Sequence, residues 1–306
     1  MKTTTTPPQP DPDEDPEENK MAEITAKMVN DLRERSGAPM MDCKRALSAT
    51  QGNVDAAFDE LRKAGLKNAE KKSANEMGEG RLAAYVAPGA RVGAMVAVTC
   101  QTDFVAKGDE FQALLAEIAK QVAEKHPADA EALGALKHSK TGVVLSETVK
   151  LLAGKTGENM AIAKFQRYEN AAGRVGCYVH HDGKKGALVS VTNGAEEVAA
   201  AAFLKSLSMH IVSAMPVPVA NTRAEIPQAE IDRERGVLLE LPDLKGKPPE
   251  LQEKILKGRM EKFFAERVLA EQAWMLDDKL TVQKAVEAAL GKGAKIEGFA
   301  RFQIGK

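Results

Sequence analysis

Cysteine is scarce in this chain: Cys43, Cys100 and Cys177 stand alone among 306 residues, with no CxxC spacing, so neither a disulfide framework nor a zinc site is indicated. Buried free thiols are expected instead. Aromatic residues make up only 4% of the chain, too few for base-stacking platforms on single-stranded nucleic acid. An excess of either charge is also missing. The formal net charge is −1, of which residues 1–20 contribute −4 and the remainder +3, so direct nucleic-acid binding is not indicated. No apolar run reaches bilayer-spanning length, and the first 20 residues lack the apolar stretch of a signal peptide. A cytoplasmic protein with no membrane partner is predicted. Three distant cysteines and five histidines offer no local signature of a Ser/His/Asp or Cys/His constellation, so enzyme chemistry is unsupported and neither cofactor nor metal is expected.

What is present is a chain long enough for a sizeable core, 43% hydrophobic. Residues 1–20 hold five prolines and an acidic stretch, a composition that cannot bury apolar surface and reads as a disordered leader. Met21-Ala22-Glu23-Ile24 looks like a fresh start, with the preceding segment an appendage or a translation-start artefact. Over residues 21–66 three short helices follow, the first marked by Ile24, Met28 and Leu32, the last by Val54, Ala57, Phe58 and Leu61 with Asn53 placed to cap it. Residues 67–80 have no apolar period and read as a linker.

An internal repeat follows at a constant offset of 93. Gly80-Arg81 matches Gly173-Arg174, Tyr85-Val86 matches Tyr178-Val179, Gly93-Ala94 matches Gly186-Ala187, and Val96, Val98 and Thr99 match Val189, Val191 and Thr192. Each copy reads strand, glycine-containing turn, strand, loop, helix. Two related α+β subdomains are predicted, residues 81–172 and 173–306. Within the second, Gln228–Leu241 and Glu250–Val268 read as an antiparallel helical hairpin inserted at about 226–270, with Leu251, Ile255, Met260, Phe263 and Phe264 as its apolar seam. That seam suits either its own packing or a dimer, which with a bound partner becomes a dimer of heterodimers. The strand Ile296–Ile304 is expected to rejoin the second sheet.

The copies diverge in the loop after the second strand, where only the first carries Thr102-Asp103-Phe104-Val105. A large apolar ring beside a carboxylate, held between a buried strand and the helix opening at Gly108-Asp109, suits a wedge that enters a partner. The competing reading has Phe104 folding back to cap its own core. Three other features are weaker. Gly154-Lys155-Thr156 resembles part of a phosphate loop, but Val149 stands where its first glycine belongs. His180-His181-Asp182 reads as a solvated turn, since adjacent side chains diverge and no third metal ligand is evident. His210 shares a helical stripe with Phe203, Leu207 and Ala214 and reads as a hydrogen-bonded core histidine.

Taken together, the run Leu32 to Lys44, the run Cys100 to Lys107, and Gly157-Glu158-Asn159, Met209-His210-Ile211 and Gly258-Arg259-Met260 resemble the bacterial elongation factor Ts family, across almost the whole chain from Met21 to Gly305. The resemblance implies an amino-terminal module similar to ubiquitin-associated domains, a two-subdomain core and a protruding helical hairpin. It also implies a partner, the GTPase elongation factor Tu, from which the family promotes GDP release. There the loop Thr102 to Val105 is driven between two helices of the partner's nucleotide domain and displaces its magnesium ion. Arg33, Met40 and Met41 are implied contacts of the module, His180 approaches the phosphate-loop side, and His210 is carried over as a further partner contact. Two departures stand out: many family members continue past the position of Lys306 into another helix, and the leader has no counterpart. An adaptor whose three-helix module binds protein surfaces without exchange activity is the rival from another class. A phosphotransferase using Lys155 is a more distant one.

Overall fold

The computed structural model describes residues 24–72, 75–192 and 197–305. The leader, Met21 to Glu23 and the second-copy loop Asn193-Gly194-Ala195 lie outside the described residues. The chain divides into two units, residues 1–65 and 66–306.

In the first unit, α1 (Ala26–Ser36), α2 (Met40–Ala49) and the beginning of α3 (Val54–Lys72) surround Val29, Leu32, Cys43, Ala46, Leu47 and Ala57. Thr25 accepts a hydrogen bond from the Met28 amide at 3.2 Å to start α1, and Gly37, at φ +65°, ends it by donating its amide to the Arg33 carbonyl. Asn53 caps α3 as expected, accepting from the Ala56 amide at 3.0 Å. The linker assignment needs correction at its start. Residues 66–72 are rich in helix formers and α3 continues through Lys72, with Ala69 buried in the core of the second unit.

The second unit begins with β1 (Glu79–Val86) and β2 (Val92–Cys100), followed by α4 (Asp103–Lys107), α5 (Asp109–Lys125), α6 (Ala130–Ala135) and α7 (Leu145–Thr156), and β3 (Met160–Glu169). Its second half contains β4 (Gly173–Val179), β5 (Lys185–Thr192), α8 (Glu197–Ser213), the hairpin α9 (Gln228–Leu239) and α10 (Pro249–Arg267), a small β6 (Ala273–Trp274) and β7 (Asp277–Thr281), α11 (Val282–Leu290) and β8 (Ile296–Gln303). Two antiparallel three-stranded sheets result, ordered β1-β2-β3 and β4-β5-β8. This is the duplicated α+β core predicted from the repeat.

The period of two along β2 explains why that strand is apolar throughout. Ala94, Val96, Val98 and Cys100 pack with Phe111, Leu115 and Ile118 of α5, while Met95 and Ala97 face Val175, Leu188 and Phe302 of the other sheet. On β5, Ala187, Val189 and Val191 likewise meet α8 and α11, and Leu188 joins the layer between the sheets. The order of layers is helix, sheet, sheet, helix.

The repeat extends to irregularities. Gly80 pairs with Thr99 and Gly173 with Thr192, and the register slips at Ala97/Val98 in one sheet and at the equivalent Ser190/Val191 in the other. A Cβ on Gly80 would lie 2.3 Å from the Val98 carbonyl oxygen, and one on Gly173 1.8 Å from that of Val191, so both copies need glycine there. The third strands correspond as well: Phe165 and Phe299 face Val96 and Val189, while Arg167 and Arg301 face Ala94 and Ala187.

The hairpin lies in the connection between β5 and β8. Arg223 fixes its base, bonding Glu261 and Glu271 through its guanidinium at 2.6 Å each and lying over the Phe264 ring. Its seam differs from the predicted one: Leu256 and Leu244 are buried, and Leu251 is exposed. Among the described residues no helix is long and apolar enough to cross a membrane.

Candidate functional site

Cys100 ends β2 inside the core, and the chain must pass from there to the start of α5 at Asp109. It does so through α4, a helix of five residues rather than the expected loop. Thr102 is its N-cap, accepting from the Val105 amide at 3.3 Å. Only one face of so short a helix can be buried. Ala106 is fully buried and Val105 packs partly against the core, which turns Phe104 outward to 84% exposure. The core-cap reading of Phe104 is thereby overturned. Asp103, also exposed, pairs with Lys107 one turn on at 2.7 Å, and this hydrogen bond and charge hold its carboxyl below the usual value.

The strand end is tied down by the turn between α7 and β3, which leads into Met160, the residue paired with Cys100. Glu158 Oε2 accepts from the Gln101 and Thr102 amides at 3.2 and 3.0 Å, and its Oε1 accepts from the Thr102 hydroxyl at 2.6 Å. In return Gln101 Oε1 accepts from the Asn159 amide at 2.8 Å. The Cys100 thiol donates to the Thr102 carbonyl, and burial, reinforced by the Glu158 charge, pushes that thiol from 9.0 up to about 11. Residue patterns alone singled out none of these supports. Glu158 stood only within a family-like tripeptide.

His180 sits on the β4–β5 turn, its Nδ1 3.0 Å from the Tyr178 hydroxyl and its ring tilted at 56° to that of His181, with centroids 4.2 Å apart. That turn meets the first sheet. The Leu82 amide donates to the Gly183 carbonyl at 2.7 Å, and Lys184 bonds Glu79, the residue paired with Cys100 across β1 and β2. The charges of Arg81 and Lys184 reach Asp103, which places the His180 turn and α4 at the same end of the core.

The first unit exposes Arg33 on α1 and, at the start of α2, Met40 at 48% and Met41 at 67%. Neither methionine belongs to the module's own core. His210 behaves otherwise. It is 4% exposed, with Nε2 bonded to Gln272 at 3.1 Å and the Trp274 ring 5.3 Å away, and burial lowers its pKa. It is a core histidine, and its assignment as a partner contact is corrected.

Gly154, Lys155 and Thr156 lie inside the last turn of α7, where Lys155 pairs with Glu110, so no phosphate loop exists there. Among the described residues no three His, Cys, Asp or Glu side chains cluster as metal ligands.

Comparison with known proteins identifies the family. Residues 101–306 match the family model described as Elongation factor TS. Elongation factor Ts of Symbiobacterium thermophilum is 42% identical over 94% of this chain and 93% of its own length. The homologues of Magnetococcus marinus and Azoarcus sp. are 38% and 40% identical, over 92% and 94% of this chain and 93% and 92% of their own lengths. With a family model spanning well over half the chain and such relatives along nearly all of it, the protein belongs to the elongation factor Ts family of translation elongation factors.

Proposed function

We propose that this chain speeds the release of GDP from elongation factor Tu by inserting Phe104 into that GTPase and displacing its magnesium ion. The observation that carries the reading is the 84% exposure of Phe104 beside a fully buried Ala106. A lone aromatic held outward by an anchored helix favours burial in a partner by about 2 to 3 kcal/mol. Asp103, kept ionised by Lys107, supplies a carboxylate to donors and cations around the displaced metal. Magnesium neutralises the diphosphate on the partner, so shifting the elements that hold it weakens nucleotide binding. Because coupling between two ligands is reciprocal, nucleotide weakens the exchange factor by the same ratio, and incoming GTP expels it. No covalent bond changes, so the role is exchange rather than enzyme chemistry.

Arg33, Met40 and Met41 are proposed as the docking contacts of the amino-terminal module, and His180 as a contact from the core. Such a role belongs in the cytoplasm. The test is release of a fluorescent GDP analogue from elongation factor Tu. Wild type should accelerate it and Phe104→Ala should not, whereas an adaptor without exchange activity would leave the rate unchanged with either protein.

A further inference from the structure

We infer that Glu158 is a positioning residue that presets the direction of Phe104, an inference that rests on the wedge reading above. The argument begins with the Thr102 hydroxyl, which has one proton and two lone pairs. Its proton goes to Glu158 Oε1 at 2.6 Å, and this fixes the hydroxyl so that a lone pair faces the Val105 amide at 3.3 Å. Glu158 therefore sets the cap of α4 as well as the strand end before it. The other carboxylate oxygen holds the Gln101 and Thr102 amides, and the Gln101 side chain reaches back to the Asn159 amide. This is a reciprocal latch between the β2 end and the α7–β3 turn, 56 to 58 residues apart in sequence.

A helix of five residues has little stability of its own. Without the latch, α4 keeps its Ala106 anchor but loses its cap orientation, and Phe104 samples directions in which it cannot enter a partner. The fraction of competent molecules falls, and apparent activity falls with it. Glutamine in place of Glu158 retains a carbonyl for the two amides and an NH2 group that donates to the Thr102 oxygen. It should restore most of the function that alanine loses.

The experiment measures release of a fluorescent GDP analogue from elongation factor Tu with wild type, Phe104→Ala, Glu158→Ala, Glu158→Gln and the double variant Phe104→Ala/Glu158→Ala, together with amide hydrogen exchange at Gln101 and Thr102. Expected are about a tenfold slower release with Glu158→Ala, within threefold of wild type with Glu158→Gln, faster exchange at both amides with Glu158→Ala, and no further loss when Glu158→Ala is added to Phe104→Ala. If Glu158→Ala does not fold, Thr102→Val removes the hydroxyl, and with it both the Glu158 link and the cap on the Val105 amide, while leaving Glu158 on the two backbone amides, and is placed in the same cycle. An active Glu158→Ala, or losses that multiply independently of Phe104, overturns the inference while leaving the wedge intact. A fully active Phe104→Ala overturns the wedge, and the positioning role falls with it.

Discussion

Phe104 and Ala106 lie two positions apart on α4 and occupy opposite environments, one 84% exposed and the other fully buried. Their roles should separate under mutation. Phe104→Ala should change unfolding free energy by less than about 0.5 kcal/mol in a urea titration, since almost no surface is buried there. A loss of about 3 kcal/mol or more would return Phe104 to the core. Ala106→Leu, by contrast, should destabilise by about 1 to 3 kcal/mol through overpacking.

Gly173→Ala tests the shared irregularity of the sheets. The new methyl group would meet the Val191 carbonyl oxygen and the Asn170 side chain, which itself bonds Ser190 and Val191. Backbone cannot yield as a side-chain tip does, so a loss of about 1 to 3 kcal/mol is expected, read as a lower midpoint in calorimetry. An unchanged midpoint would mean the strand edges are looser than their register implies.

His210 makes stability depend on pH. Its folded pKa is lowered by burial, so on acidification the unfolded chain binds the proton first and unfolding is favoured. Stability should therefore be retained above the ordinary value of 6.5 and decline as pH falls below it. Urea midpoints at pH 7.5 and 5.5 should differ less for His210→Gln than for wild type. Equal differences would assign the acid sensitivity to other groups.

Cys100 should resist alkylation at neutral pH in the folded protein, because it is fully buried and its thiol is raised to about 11. By the same shift, stability should fall as pH rises from about 9 toward 11, where the unfolded thiol ionises and the folded one does not. Prompt labelling by iodoacetamide at pH 7.5, without denaturant, would contradict this.

The duplication, the helical hairpin and the return of the final strand were legible because they rest on long periodic segments and an ungapped repeat. The third strand of the first sheet was not. Met160 to Glu169 carries Lys164, Arg167 and Glu169 among its apolar residues, and its counterpart Phe299-Ala300-Arg301-Phe302 lies 134 residues away instead of 93, displaced by the hairpin. The five residues of α4 are too few to show a period. For the site, Phe104 stood out by chemistry, but Glu158 gained meaning only when folding brought it to Thr102. His210 was placed correctly by its apolar stripe and wrongly by family analogy.

The single tryptophan, Trp274, is 5% exposed between Phe203 and His210 in the second unit. Its fluorescence therefore follows the loss of that core and is blind to the three-helix module, whereas far-ultraviolet ellipticity sums the helices of both. Any gap between the two melting curves is a direct reading of how independently the module comes apart.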